Sequence, residues 1–486
     1  MKKLRFFVQI LLFIAFLWLI FSDPNKHAMK MDFFCRVDPL LALTALISSR
    51  SFFLYSLTSL GLIIFTVLFG RFFCGWICPM GTLSERISRK TSKTTFNFSK
   101  IKYYLLVFVI FAGFLGFNAS YMLDPFAILT RGFAIGIYPF VQLFLNFAEE
   151  KLYNLSLSDN KFLSDILYSL SDHSSSNHVS SSVQIPIDFF VIVSLVALIV
   201  IIGLSFIQKR FWCRNLCPLG ALLGLVSKYS ILKRAVGENC VKCKKCNQDC
   251  QMNAINQEDP LKTEVAECIS CLECQHSCPK DSISFNSKTP SSLDLDKRRL
   301  LIGAGAGVLT AGIANVDKLG VIKKENHNVL RPPGAISESK FNSRCVRCAS
   351  CIKSCPTNAL HHAFGEAGVA GVLTPIMLPR KGYCKENCNI CSTVCPTEAI
   401  TQFEVEDKKT IRIGKAHVIK EKCLAWEHNK YCLICEEHCS YVAIKHERVK
   451  DTDAPIIDEN LCVGCGQCEH ICPVEGSAIV IKPLGS

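Results

Sequence analysis

Four long apolar runs interrupt the first half of the chain: Leu4–Phe21, Phe52–Phe69, Tyr103–Leu123 and Ile185–Ile207. Each is 18 to 23 residues long, enough to carry a helix across the hydrocarbon of a bilayer. Their charged side chains, Arg5 and Asp188, sit near the ends. The pattern predicts four transmembrane helices in a membrane domain over residues 1–234. A fifth apolar stretch, Phe126–Phe147, is expected to lie along the membrane interface.

The polar segments between the runs set the orientation. Residues 1–5 carry three Lys or Arg, residues 71–102 seven and residues 209–234 six, against four in 22–51 and three in 123–185. This bias puts the N-terminus and the loop after the second helix on the cytoplasmic side. The Ser-rich stretch Ser171–Ser182 reads as an exterior loop.

The membrane half is also duplicated. Arg36-Val-Asp38-Pro39-Leu40, a helix, and Arg71-Phe-Phe-Cys74-Gly-Trp-Ile-Cys78-Pro79 form one copy. Met122-Leu-Asp124-Pro125-Phe126, a helix, and Arg210-Phe-Trp-Cys213-Arg-Asn-Leu-Cys217-Pro218 form the other. Copies running in one direction imply a pseudo-two-fold axis along the membrane normal.

Composition changes the picture mainly through cysteine. The chain has 486 residues, 29 of them Cys, and a net charge of +13. The basic residues flank apolar segments, which speaks for membrane orientation and against nucleic-acid binding. A disulfide scaffold would be short and would not repeat one ligand pattern.

That pattern is Cys-x-x-Cys-x-x-Cys-x-x-x-Cys. It occurs at Cys240/Cys243/Cys246/Cys250, Cys268/Cys271/Cys274/Cys278, Cys345/Cys348/Cys351/Cys355 and Cys462/Cys465/Cys468/Cys472. Two variants, Cys384/Cys388/Cys391/Cys395 and Cys423/Cys432/Cys435/Cys439, bring the total to 24 cysteines. Three thiolates on a tight loop reach three irons of a cubane, and the fourth turns away to a neighbouring cluster. Cys278 is therefore expected to join Cys240, Cys243 and Cys246, and Cys250 to join Cys268, Cys271 and Cys274. Which of the four later sets pair with which stays open. Structural zinc closes a tetrahedron with pairs of Cys-x-x-Cys and has no use for a third Cys at that spacing. About six 4Fe–4S clusters are expected, two in a ferredoxin domain at 235–290 and four in another at 321–486.

Other cysteines and polar groups carry less specific signals. Cys74/Cys78 and Cys213/Cys217, each spaced i, i+4, are expected on one helix face each. They can hold a further metal, act as redox dithiols, or fill space. Cys35 is assigned nothing. Asp38 and Asp124 precede Pro39 and Pro125 and so fit helix caps; with Arg50 and Arg131 they also fit a quinol pocket. Asp296-Lys-Arg298-Arg299 before the apolar run Leu300–Val316 reads as a twin-arginine export leader cut after Ala314, or as a fifth span, over 291–320. No Cys-x-x-Cys-His is present and no His lies in the four runs, which argues against c-type haem and an intramembrane bis-histidine haem. Gly303-x-Gly305-x-Gly307 does not follow a strand pattern, so no nucleotide fold is expected.

The first half resembles the NapH/MauN/NosR group of membrane ferredoxins, through its four runs, two Cys-x-x-x-Cys-Pro motifs and two following cluster sets. The second half resembles the NapG/MauM polyferredoxins, through the twin-arginine leader, four sets, Leu378-Pro-Arg380-Lys-Gly-Tyr383-Cys384, and Cys423-Leu-Ala-Trp426 before Cys432. The resemblance implies a quinol dehydrogenase component in a bacterial inner membrane. It would draw electrons from the quinol pool and pass them to a periplasmic cytochrome or reductase. The expected fold is an α-helical membrane domain joined to α+β ferredoxin-like domains. A redox or copper assembly role, using the Cys-x-x-x-Cys pairs, is the alternative.

Overall fold

The computed structural model describes residues 2–22, 31–88, 100–156, 189–286, 297–314, 329–449 and 451–484. The exterior loop expected at Ser171–Ser182 lies outside them.

Apolar composition makes helices of the first half. α1 (Lys2–Phe21) buries Phe16, Leu19 and Ile20 on one face and exposes Phe7, Leu11, Ile14 and Trp18 on the other. Such an apolar outer face suits lipid. α2 (Phe33–Val37) ends at Asp38, whose side chain caps α3 (Pro39–Ser49). α4 (Thr58–Phe69), α5 (Phe72–Trp76) and α6 (Pro79–Ile87) complete the first copy of the repeat. α7 (Ile101–Phe114) opens the second. Asp124 caps α8 (Pro125–Arg131), which runs through a π-helical turn into α9 (Tyr138–Ser156). α10 (Phe189–Ile207) and α11 (Pro218–Ser227) close the module.

Helices long and apolar enough to cross a membrane are Lys2–Phe21, Pro125–Ala148 and Phe189–Ile207. Two expected runs give shorter apolar helices, Leu54–Phe69 and Ile101–Phe114. The stretch assigned to the interface instead contributes a long helix whose first residues, Phe126 to Leu129, sit in the core. Hydropathy cannot separate a lipid-facing helix from one buried among others, because both are apolar all round.

The twin-arginine stretch forms α12 (Lys297–Ala314), which packs along α7. A Cβ at Gly303 would stand 2.7 Å from the Tyr104 carbonyl, and one at Gly307 2.5 Å from that of Phe108. Gly-x-x-x-Gly spacing thus lets two helix backbones approach closely.

Small ferredoxin-like units sit at both ends of the helical module. β1 (Lys233–Val236) pairs antiparallel with β2 (Ile283–Asn286), closing the segment that holds the first two cysteine sets. At the other end α13 (Glu338–Arg344) rests on α3. Antiparallel ladders follow between β3 (Leu360–His362) and β4 (Pro375–Met377), between β5 (Gly414–Val418) and β8 (Ile479–Pro483), and between β6 (Ile444–Val449) and β7 (Thr452–Ile457).

Candidate metal centres

Backbone geometry marks the regular cysteine loops. In all four, the residues on either side of the second cysteine are left-handed: Lys242 and Lys244, Ser270 and Leu272, Arg347 and Ala349, Gly464 and Gly466, with φ between 48° and 84°. For residues with a Cβ this costs about 1–2 kcal/mol each. The same conformation turns successive backbone N–H groups into a concave nest that binds anions. An iron–sulfur cluster with four thiolates is such an anion, so the strain has a physical use.

The nests open on cavities of matching size. Cys240, Cys243, Cys246 and Cys278 line one of about 370 Å³, and Cys250, Cys268, Cys271 and Cys274 line one of about 380 Å³. Each holds three cysteines from one set and the fourth from its neighbour. A third cavity, again about 380 Å³, is lined by Cys384, Cys388, Cys391 and Cys355. Its reciprocal group is Cys345, Cys348 and Cys351 with Cys395. The last two sets exchange in the same manner: Cys439 lies with Cys462, Cys465 and Cys468, and Cys472 packs with Cys423 of the set completed by Cys432 and Cys435. Sequence left this pairing open; the structure joins neighbours along the chain.

Outside the helical module, burial raises four of the thiols, to about 11 for Cys384 and about 12 for Cys395, Cys435 and Cys465. These thiols keep their protons at neutral pH until a cation replaces them, so metal binding there releases protons.

Comparison with known proteins agrees with this chemistry. Residues 52–96 and 190–237 match one family described as "4Fe-4S binding domain", and residues 340–361 and 455–475 match a second of the same description. The ferredoxin-type protein NapG of Escherichia coli is 35% identical over 166 residues, 32% of this chain and 71% of the relative. The chain belongs to the NapG/MauM family of ferredoxin-type proteins. The methylamine utilization protein MauM of Methylophilus methylotrophus is 34% identical over 164 residues, 32% of this chain and 71% of its own. MauM of Methylorubrum extorquens is 30% identical over 207 residues, 40% of this chain and 90% of its own. No solved structure matches.

In this NapG/MauM-family chain the centres follow one another in space. At one end, Arg5 donates to the Cys271 carbonyl at 3.2 Å and Trp76 Nε1 to the Ser270 carbonyl at 3.1 Å. A Cβ on Gly75 would lie 2.4 Å from the Ile269 carbonyl. The Cys268 centre therefore abuts the helical module, and the Cys240 centre lies beyond it. Glu85 ties this end together, accepting from Arg210 at 2.6 Å and Gln251 at 2.8 Å and pairing with Arg5. Burial would raise the Glu85 carboxyl, but Arg210 and Arg5 outweigh it and hold it well below the ordinary range.

At the opposite end the Cys345 centre adjoins the helices. Cys348 belongs to the same hydrophobic core as Cys35, Phe126 and Leu129. Ser48 Oγ donates to the Ser343 carbonyl at 2.5 Å, Arg347 to the Asn118 carbonyl at 3.3 Å, and Tyr55 Oη to Gln402 at 2.8 Å. Cys384 N–H donates to the Cys465 carbonyl at 2.8 Å, joining the Cys384 and Cys462 centres, and the Cys423 centre follows.

Cys74, Cys78, Cys213 and Cys217 gather within mutual electrostatic range, next to the Cys268 centre. Each pair stays close, Cys78 beside Cys74 and Cys217 beside Cys213, with the second cysteine standing just past the helical turn. α5 stops at Trp76, and Cys78 is extended (φ −60°, ψ 119°), as is Cys217 (φ −74°, ψ 107°). The following proline bars the α conformation at each. Arg71 reaches Gly220 of the second copy and Arg210 reaches Gly81 of the first. Both guanidiniums are buried, and Arg71 Nε, Arg210 Nε and Trp212 Nε1 have no hydrogen-bond partner. Among the described residues no three His, Cys, Asp or Glu converge on a site for one metal ion.

Of the four quinol candidates, Asp38 and Asp124 come together, both wholly buried. Arg131 is buried at the far end of α8 and donates to the Arg347 carbonyl at 3.4 Å. Arg50 does not join them: it is the exposed, left-handed residue (φ 48°) that ends α3. Eleven helical residues separate it from Asp38, about 16 Å at 1.5 Å per residue. Sequence reasoning missed Glu85 and Glu267, which pair with Arg210 and Arg71, Lys102, which pairs with Glu267, and the contact of Cys35 with Cys348. None of the three charged residues lies in one of the apolar runs, so hydropathy offered no signal for them.

Proposed function

We propose that the chain is a membrane-bound iron–sulfur electron carrier of bacterial inner membranes. In this reading it takes electrons from hydroquinone and delivers them to a periplasmic cytochrome or reductase. The observation that carries it is the spatial order: the Cys240 and Cys268 centres, the cysteine quartet, the helical module, then the Cys345, Cys384, Cys462 and Cys423 centres.

All 24 cluster-type cysteines are assigned as ligands of six 4Fe–4S clusters. Bound clusters would supply one-electron carriers with potentials tuned by charge and hydrogen bonds. The chain's own part is to hold them in sequence, shield them from water and place buried arginines beside the quartet. The basic flanks at residues 1–5 and 71–102 support a cytoplasmic location for the Cys240–Cys278 unit, and hence a periplasmic one for residues 321–486.

Addition of hydroquinone to purified anaerobic membranes tests the reading. Reduction of the clusters, seen by electron paramagnetic resonance, is expected; clusters that stay oxidised in excess hydroquinone would refute it. The gathering of the four Cys-x-x-x-Cys thiols favours one second reading, a metal-handling role. Tight copper binding that vanishes when all four become Ser would mark it.

A further inference from the structure

Asp38 and Asp124 occupy equivalent positions of the sequence repeat, and the structure brings their side chains into hydrogen-bonding range of each other. Each uses only Oδ1 for its cap. Asp38 Oδ1 accepts from Leu40 N and Leu41 N at 2.7 and 3.1 Å, and Asp124 Oδ1 from Phe126 N and Ala127 N, both at 2.9 Å. Asp38 Oδ2 and Asp124 Oδ2 are buried and have no donor.

Among the described residues no cation pairs with either carboxylate. Titratable groups on the surrounding elements are Asp32 before α2, Cys35 and Arg36 on it, Tyr55 before α4, Tyr121 before α8, Arg131 at its end, Lys102, Tyr103 and Tyr104 on α7, Glu85 and Arg86 on α6, Glu338, Lys340 and Arg344 on α13, and Arg347 and Cys348 after it. Arg36 pairs with Asp32, Lys102 with Glu267, and Arg131 and Arg347 donate to backbone carbonyls. Two carboxylates in contact, both out of water, cannot both remain ionised. A proton on one Oδ2 turns two orphaned acceptors into a donor and its acceptor.

We propose that Asp38 and Asp124 form a one-proton site, a carboxylic acid hydrogen-bonded to a carboxylate, that takes up a second proton when the adjacent Cys345 centre gains an electron. The link is short. Asp124 acts electrostatically on Cys35, and Cys35 contacts both Cys348 and, at 3.7 Å, Thr130 Oγ1. Charge balances as one electron on the centre and one proton, drawn from solvent, on the remaining carboxylate; one O–H bond forms in the protein. The coupling rests on the cluster assignment above, whereas the shared proton does not.

Infrared difference spectra of the full chain, with parallel potentiometric titration by electron paramagnetic resonance, test both parts. Wild type is expected to show a buried carboxylic-acid C=O band that shifts in D2O and is lost in the Asp38→Asn/Asp124→Asn double variant. The amide oxygens preserve both caps. The Cys345 centre's potential is expected to fall with rising pH, approaching about 59 mV per tenfold change in proton activity, and to lose that slope in the double variant while other centres keep theirs. Absence of the band, or a slope that survives both substitutions, overturns the proposal. Should the variant not assemble, 13C-aspartate labelling of wild type decides: an acid band that ignores the label refutes it. Missing cluster signals would instead count against the cluster assignment.

Discussion

Glu267 offers the sharpest test of how the Cys240–Cys278 ferredoxin unit is held to the helices. Its carboxylate accepts from Tyr103 Oη at 2.8 Å, pairs with Lys102 and lies 3.7 Å from Arg71. The side chains of Lys102, Arg71 and Glu267 are 0%, 1% and 3% exposed. Glu267→Gln leaves Lys102 with a buried charge and no carboxylate. Breaking a buried pair by removing one partner costs about 3–5 kcal/mol, because the other charge stays uncompensated. Arg71, which keeps the Ala266 carbonyl at 2.8 Å, is a second cation there and gives Lys102 no relief. Replacing both members, as in Lys102→Met/Glu267→Leu, removes charge and desolvation cost together and should recover most of the loss. Reversible unfolding in mixed micelles, followed by tryptophan fluorescence, measures both variants. A single variant within about 1 kcal/mol of wild type, or a double variant no better than the single, would show that this network does not hold the interface.

Crosswise ligation predicts that Cys355→Ser removes the paramagnetic signal of the Cys384 centre and spares that of the Cys345 centre, and that Cys395→Ser does the reverse; loss of the same signal in both variants would rule out the exchange. Because the Cβ of any substituent at Gly303 would meet the Tyr104 carbonyl at 2.7 Å, Gly303→Leu should free α12 from α7 and open it to protease, while the mature wild-type protein stays one chain. A mature N-terminus just after Ala314 would contradict that docking.

Much of this was legible because ligand spacing is a local property. The Cys-x-x-Cys-x-x-Cys loops, the apolar runs and the Asp–Pro and Cys–Pro junctions each declare themselves within a dozen residues. Pairing among the later sets was not, since which sets exchange a fourth cysteine depends on the folded path; β5 and β8 close over two of them from 61 positions apart, Val418 to Ile479. Helix burial was hidden for a different reason. Phe126–Phe147 and Leu4–Phe21 are both long and apolar enough to cross a membrane, and only packing tells that Phe126 stacks on Phe34 and meets Phe73 edge-on. The helical turn carrying Cys74 ends at Cys78 because Pro79 constrains the residue before it more strongly than the apolar context favours helix.

That proline effect recurs at four places and explains why the chemistry sits where it does. Asp38, Cys78, Asp124 and Cys217 each precede a proline that opens a helix, so each is an extended N-cap residue. A residue inside a regular helix presents its side chain to whatever the helix face meets. One at a proline-enforced break is held by the cap, with its functional atom pointing into the gap between helices. Asp38 and Asp124 illustrate the gain: Oδ1 is committed to backbone N–H groups, which fixes the carboxyl, and Oδ2 is left for the opposing copy. Cys217 uses the same position, its sulfur accepting from Gly220 N at 3.2 Å. The four Xaa–Pro junctions thus build two levels within one helical module, a carboxylate pair next to the Cys345 centre and a thiol group next to the Cys268 centre. Apolar side chains such as Phe73 and Phe126 pack in the core between them.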